Sequence, residues 1–256
     1  MTLSIVIPAH EEGDAIGATV EALHTALADA AIPHEIVVVD DHSSDRSVAV
    51  LDALARRVPT LRWVRNEGPR GYGYAVRAGL DAYTGDAVCI VMADASDDPA
   101  DVVAYYRKLG EGYECVFGSR FIAGSHVSNY PWPKLVLNRI ANIAIRTLFA
   151  SRFNDWTNAF KCFRREVIDG AQPILSCHFN LTVELPLKAA VRGYSYAVIP
   201  VQWRGRSTGV SKFRIKEMGS RYVFVVLYVL LEKWLARGDY SRKERSWPAR
   251  AGPPEF

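Results

Sequence analysis

The chain has 256 residues, 49% of them apolar, and carries 31 Lys and Arg against 28 Asp and Glu, a formal net charge of +3. That length suits one large α/β domain or two small ones, and no Ser/Gly/Pro-rich linker divides it. The first residues, MTLSIVIPAH, lack the basic and long apolar regions of a signal peptide, and the most apolar run, YVFVVLYVLL at 222–231, is too short to span a bilayer.

In chain order, short apolar runs alternate with helical patterns. A strand over 3–8 precedes a helix over 15–31; a strand over 35–40 precedes a helix over 47–57. A strand over 61–66 then precedes a helix over 73–83, and an apolar run opens at Val88. Such alternation is the signature of parallel strands linked by crossover helices. The segment 88–99, VCIVMADASDDP, has no polar alternation before it meets Asp94, Asp97 and Asp98, so it reads as a strand buried on both faces that delivers carboxylates at its end. Asp97 or Asp98 suits the N-cap of a helix opening at Pro99, whereas Asp94, read as the strand's last turn of chain, suits a ligand site beyond the sheet edge. Further strands are expected over 113–120 and 196–204. Helices are expected over 134–149 and 211–235, each readable as a core, dimer or membrane-surface helix. The Pro-rich end reads as a disordered tail.

Charge is unevenly spread. The last 56 residues hold 12 Lys and Arg against five Asp and Glu, which suggests an anionic partner such as a diphosphate, a lipid headgroup or nucleic acid. Cys89, Cys115, Cys162 and Cys177 show no metal or redox spacing and read as reduced residues of a cytoplasmic protein.

Several strand ends bring distinctive chemistry to one sheet edge: Pro8, Ala9, His10, Glu11 and Glu12 from the first, Asp40 and Asp41 from the second, and Asp94 from the fourth. Neighbouring carboxylates repel unless they bind a base, a ribose or a divalent ion. Gly71 and Gly73 in RGYGYAVRAG lack a third glycine at dinucleotide-binding spacing; they allow close backbone approach to a nucleotide, or a plain tight turn. Arg204, Arg206, Ser211 and Lys212 in WRGRSTGVSK form a basic loop suited to a diphosphate leaving group. No Ser–His–Asp set, HExxH or paired CxxC is evident.

Taken together, the ordered motifs resemble family 2 glycosyltransferases of the GT-A fold, and within them the polyprenyl-phosphate (dolichol-phosphate) mannose synthase-like branch. IVIPAHEE resembles the group's PAYNE-type opening with Glu12 at its Glu. VVVDDHSSDRS resembles its VDDxSxDxT segment, and GSR at 118–120 and RSTGVSK at 206–212 resemble its GSR and RxxGxSK segments. VMADASDDP resembles its DADxxxxP metal motif, with Asp94 at the second Asp but Met92 at the first. The resemblance covers about residues 1–235, leaving 236–256 as the tail. It implies a three-layer α/β/α fold with a mostly parallel nucleotide-binding sheet and helices on both faces.

It further implies a GDP- or UDP-sugar donor, Mg2+ or Mn2+, and an inverting single displacement. Asp40 or Asp41 would hold the base; Asp94, with Ser96 and Asp97, would hold the metal. Arg120, Arg204, Arg206, Ser211 and Lys212 would hold phosphates, with Lys134 and Asn138 toward the acceptor. A polyprenyl phosphate acceptor places the protein at the inner membrane face, as a monomer or homo-oligomer, with no nucleic-acid partner. A hydroxyl acceptor would need a base, for which Asp155 and Glu184 are candidates. A transferase using a soluble or glycan acceptor and a non-catalytic nucleotide-binding subunit remain open alternatives.

Overall fold

A computed structural model describes residues 1–205 and 215–242, without the side chains of 215–218. The first half follows the expected alternation: β1 (Leu3–Ala9), α1 (Ile16–Asp29), β2 (His34–Asp40), α2 (Ser47–Ala55), β3 (Leu61–Arg65), α3 (Tyr72–Ala82), β4 (Ala87–Ile90) and α4 (Pro99–Gly110). After it come β5 (Cys115–Ser119), β6 (His126–Ser128), α5 (Trp132–Phe149), β7 (Lys161–Arg164), α6 (Arg165–Gly170), α7 (Leu181–Val191), β8 (Tyr196–Pro200), β9 (Gln202–Arg204) and α8 (Ile215–Leu235).

Seven strands form one sheet in the order β3-β2-β1-β4-β7-β5-β8, and β6 pairs with β9 in a separate parallel ribbon. β7 runs antiparallel to both β4 and β5, so the sheet is mixed where the chain returns to its centre. Along β1, Ile5 and Ile7 face a core with α1, α2 and α4, while Val6 faces one with α3, α5, α6, α7 and α8. Burial on both faces explains the unbroken apolar runs, because each Val or Ile removed from water is worth about 1.5–3 kcal/mol.

Two expectations need correction. β4 stops at Ile90, four residues before Asp94, so that carboxylate sits on a loop rather than in the strand. The loop turns through Ala95 at φ 56°, and Asp98 alone caps α4, its carboxylate accepting from the Ala100 N–H at 2.8 Å. β7 escapes notice in the sequence because KCFR is short and half basic, with no alternating pattern to mark it. The expected tail begins with residues that return to the body: Arg242 donates to the Glu114 carboxylate at 2.9 Å, and 243–256 lie outside the described residues.

Candidate functional site

The carboxyl ends of β1 and β2 are locked in register, Ala9 opposite Asp40 and Pro8 opposite Val39, and the Asp41 N–H donates to Ala9. Of the two adjacent acids, Asp41 is committed internally. It accepts from Asn66 at 2.7 Å and from the Gly71 N–H at 2.9 Å, joining the β2 end to the loop that opens α3. Asp40 is different: Oδ1 accepts from the Ser43 N–H, but Oδ2 is buried without a hydrogen bond, with Arg65 3.9 Å away. A buried, unbonded carboxylate oxygen costs free energy unless a ligand completes it. Glu12 lies nearby on the turn into α1, its N–H donating to Ser47 Oγ and its carbonyl accepting the first helical N–H groups.

Gly71 and Gly73 are required by the protein's own packing. A Cβ at Gly73 would come within 2.5 Å of the Cys177 carbonyl carbon, and one at Gly71 within 2.8 Å of the Cys177 oxygen. The first turn of α3 therefore rests directly on the backbone before α7.

In the loop after β4, Asp94 is partly exposed and its carboxylate accepts from the Ser96 N–H at 3.2 Å. Asp97 is buried and bends back to accept from the Met92 N–H at 3.0 Å. Burial, then the charges of Asp94 and Asp101, push its carboxyl up to about 7, against the Met92 hydrogen bond and Arg120. Asp97 thus closes the loop, and among the described residues no group of three His, Cys, Asp or Glu could hold a metal ion by itself.

The acidic loop meets the start of the basic segment directly. The Arg204 N–H donates to the Ser96 carbonyl at 3.0 Å, Asp97 bridges Trp203, and the Gln202 N–H donates to Asp101 at 2.6 Å. Arg204 is exposed beside this edge; Arg206, Ser211 and Lys212 lie outside the described residues.

Arg120 and Asp155 are claimed by one another. Nε and Nη2 of Arg120 reach both Asp155 oxygens at 2.8 and 2.7 Å, and the Arg120 N–H donates to the same carboxylate at 2.9 Å. The guanidinium lies 5.4–5.7 Å from the ring centres of Phe121, Tyr130 and Trp203. This buried bidentate pair engages Asp155 with Arg120 and ties the end of β5 to the 154–158 loop.

Glu184 is engaged as well: fully buried, it accepts from the Leu175 and Ser176 N–H groups at 2.8 and 2.7 Å and pairs with Lys188 at 2.6 Å. Asn138 donates to Thr157 at 2.6 Å, tying α5 to the same 154–158 loop, and Lys134 is half-buried one turn earlier.

Sequence reasoning missed Lys161. It is buried in β7, with Nζ donating to the carbonyls of Trp156, Asn158 and Thr182. The Thr182 carbonyl lacks its helical donor because Pro186 stands four residues on, so a lone proline in α7 was the one available signal. Burial pulls this ammonium down to about 7, against the pull of Asp155 and with Arg120 adding to the lowering.

The mixed sheet with helices on both faces is the three-layer GT-A fold seen in solved glycosyltransferases. The chain belongs to glycosyl transferase family 2, whose model matches residues 4–170. It is 30% identical over 233 residues to a polyprenol monophosphomannose synthase of Mycolicibacterium smegmatis, covering 85% of this chain and 86% of that one. It is 27% identical to a dolichol-phosphate mannosyltransferase of Pyrococcus furiosus, covering 84% of this chain but 60% of that longer one. Among solved structures, glucosyl-3-phosphoglycerate synthase of Mycobacterium tuberculosis with Mn2+, UDP-glucose and phosphoglyceric acid aligns with a TM-score of 0.67 at 20% identity. That alignment covers 91% of this chain and 79% of the other, and shows likeness of fold.

Proposed function

We propose that the protein transfers a glycosyl group, with inversion, from a nucleotide-diphosphate sugar to a polyprenyl phosphate at a membrane surface. The family and the names of the two polyprenyl-linked mannosyl transferases support this reading. The observation that carries the choice of acceptor is the state of the two candidate bases: Asp155 is spent on Arg120 and Glu184 on Lys188 and backbone N–H groups. A hydroxyl acceptor needs a base, whereas a phosphate is already ionised at neutral pH. Its oxygen attacks the anomeric carbon, the bond to the donor diphosphate breaks, and the nucleoside diphosphate leaves with the bonding electrons.

Asp40, with its unbonded oxygen, accepts from the donor's base. Asp94 faces the diphosphate together with Arg204. Asp94 is a hard-oxygen ligand fit for Mg2+ or Mn2+; Met92 offers only a thioether, and Asp97 is spent on the loop. The residues therefore suit a metal shared with the donor phosphates, which when bound would neutralise charge on the leaving group.

α5 and α8 support the lipid side. Trp132, Ile140 and Ile143 on one, and Phe224, Trp234 and Leu235 on the other, are 55–73% exposed, and Lys233 of α8 donates to the Phe149 carbonyl at the end of α5. Exposed apolar side chains gathered on two joined helices suit contact with a lipid surface.

The test is transfer from GDP-mannose or UDP-glucose to a polyprenyl phosphate in detergent with Mn2+, read as one added hexose on the lipid. Asp94→Ala should abolish the product without altering the thermal midpoint by more than a few degrees. Transfer to hydroxyl acceptors with none to the lipid would refute the acceptor assignment, and full turnover by Asp94→Ala would refute the site.

A further inference from the structure

At the amino ends of the strands, on the far edge of the sheet from the acidic loop, lies a cluster that the transfer reaction does not use. His24 sits on α1, His34 opens β2 and Thr60 directly precedes β3, so elements separated in sequence bring three polar side chains to one spot. β2 runs from His34 to Asp40, which puts the cluster about 20 Å of strand away from the carboxyl-end site. All three residues are half-buried, so solvent reaches them.

The cluster is short of one proton. His34 Nδ1 lies 2.8 Å from the Ile32 carbonyl, which only accepts, so that nitrogen carries the ring proton and Nε2 of the neutral ring offers a lone pair. Burial foremost lowers the His34 pKa, against the Ile32 carbonyl and with His24 adding to the lowering, which favours that neutral ring. Nε2 lies 3.1 Å from His24 Nδ1, and Thr60 Oγ1 lies 3.0 Å from His24 Nδ1 and 3.3 Å from His34 Nε2. The three edges of this triangle share at most two protons, one on the hydroxyl and one on His24, so one edge sets lone pair against lone pair. A cation drawn between the three atoms relieves that contact.

The triangle also has the dimensions of a metal site. Two imidazole nitrogens 3.1 Å apart, each at about 2.0–2.1 Å from one ion, subtend an angle of about 100° there, close to tetrahedral. The bond from His34 Nδ1 to the Ile32 carbonyl is the outer contact that metal-bound histidines ordinarily make through their second nitrogen, fixing tautomer and ring. Imidazole donors suit Zn2+, Ni2+ or Cu2+ better than the hard Mg2+ or Mn2+. The neighbouring acids are engaged elsewhere: Glu21, one turn before His24, pairs with Arg57 at 2.8 Å, and Glu35 accepts from Ser4 and Thr84. The donor set is therefore two imidazoles and a hydroxyl, below the three His, Cys, Asp or Glu of a self-sufficient site, and water completes the shell.

We propose that His24 and His34, with Thr60 at the third corner, form a binding site for a transition-metal ion of the Zn2+ class. The bound ion links α1 to the start of β2 and to the residue before β3, and stabilises the fold at the edge opposite the transferase site. The site is independent of donor and acceptor and separate from the Mg2+ or Mn2+ assigned to Asp94.

The experiment titrates the full chain with Zn2+, followed by calorimetry and by thermal unfolding, in the wild type, His24→Ala and His34→Ala. Excess Mg2+ is present throughout to occupy hard-oxygen sites. The wild type should bind one Zn2+ about 10-fold or more tightly than either variant, and Zn2+ at about 100 times its Kd should raise the wild-type midpoint by about 5–10 °C, with no such rise in the variants. Proton–nitrogen correlation spectra of the imidazole rings test the wild type without any variant: the resonances of His24 Nδ1 and His34 Nε2 should move on addition of Zn2+ while His34 Nδ1 keeps its proton. No binding of Zn2+ by the wild type, equal binding by a folded variant, or shifts confined to the other histidines overturns the proposal.

Discussion

Removing the Asp155 carboxylate should expose how strongly the fold depends on the Arg120 clamp. Asp155 has a fully buried side chain, and that of Arg120 is 7% exposed. Asp155→Ala deletes three hydrogen bonds of 2.7–2.9 Å and strands a guanidinium among Phe121, Tyr130 and Trp203. Breaking a buried pair from one side costs about 3–5 kcal/mol, most of it the uncompensated charge. For a chain of this size each kcal/mol lowers the thermal midpoint by about 2–4 °C, so a fall of about 6–20 °C is expected. The double variant Arg120→Met/Asp155→Leu removes both charges and should recover much of the loss, because the pair returns little beyond its own desolvation cost. Urea titration followed by circular dichroism measures all three proteins. A loss under about 1 kcal/mol in Asp155→Ala, or a double variant no more stable than the single one, would refute the view that Arg120 is an internal clamp whose main counter-ion is Asp155.

Further outcomes follow from other positions. Asp40→Ala should raise the Kd for GDP or UDP by about 10-fold or more, the loss of one charge-assisted hydrogen bond, and calorimetry showing unchanged affinity would move the base elsewhere. Asp97 binds its proton more tightly folded, up to about 7, than in the unfolded chain, near 3.8, so its contribution to stability is full below 3.8 and is lost as pH rises through 7. Asp97→Asn keeps an oxygen for the Met92 N–H and should shrink the decline in urea midpoint between pH 4 and 7. Asp101, raised to about 6, will sustain a residue of it, and an unaltered slope would clear Asp97 of the effect. Ile140→Glu/Trp234→Glu changes two exposed residues, so each substitution should cost about 0.5 kcal/mol or less while co-sedimentation with anionic lipid vesicles is lost. Retained sedimentation would remove the α5–α8 face from the membrane contact.

The amino-acid order by itself carried the alternation of strands and helices, because strands buried on both faces must be continuous apolar runs and helix ends need residues such as Asp98 and Pro99. It also carried the set of motifs that places the chain among nucleotide-sugar transferases. Which members of that set are available to a ligand was decided by tertiary structure. Asp40 and Asp41 are identical in type and adjacent in sequence, yet only Asp41 meets Asn66 and Gly71, leaving Asp40 with a buried unbonded oxygen. Asp94 and Asp97 lie in one loop, and the backbone turn at Ala95 leaves the first partly exposed while burying the second against Met92. Asp155 and Glu184 looked like bases because a lone carboxylate gives no sign in the sequence of its partner, and those partners arrive from the residue after β5 and from the 175–176 backbone. β7 was hidden for the related reason that its place between β4 and β5 is fixed by pairing across a long stretch of chain, not by a local pattern. Periodicity and capping are local and are written along the chain, whereas the protonation, burial and availability of a carboxylate depend on which remote donor reaches it, and only the folded molecule determines that.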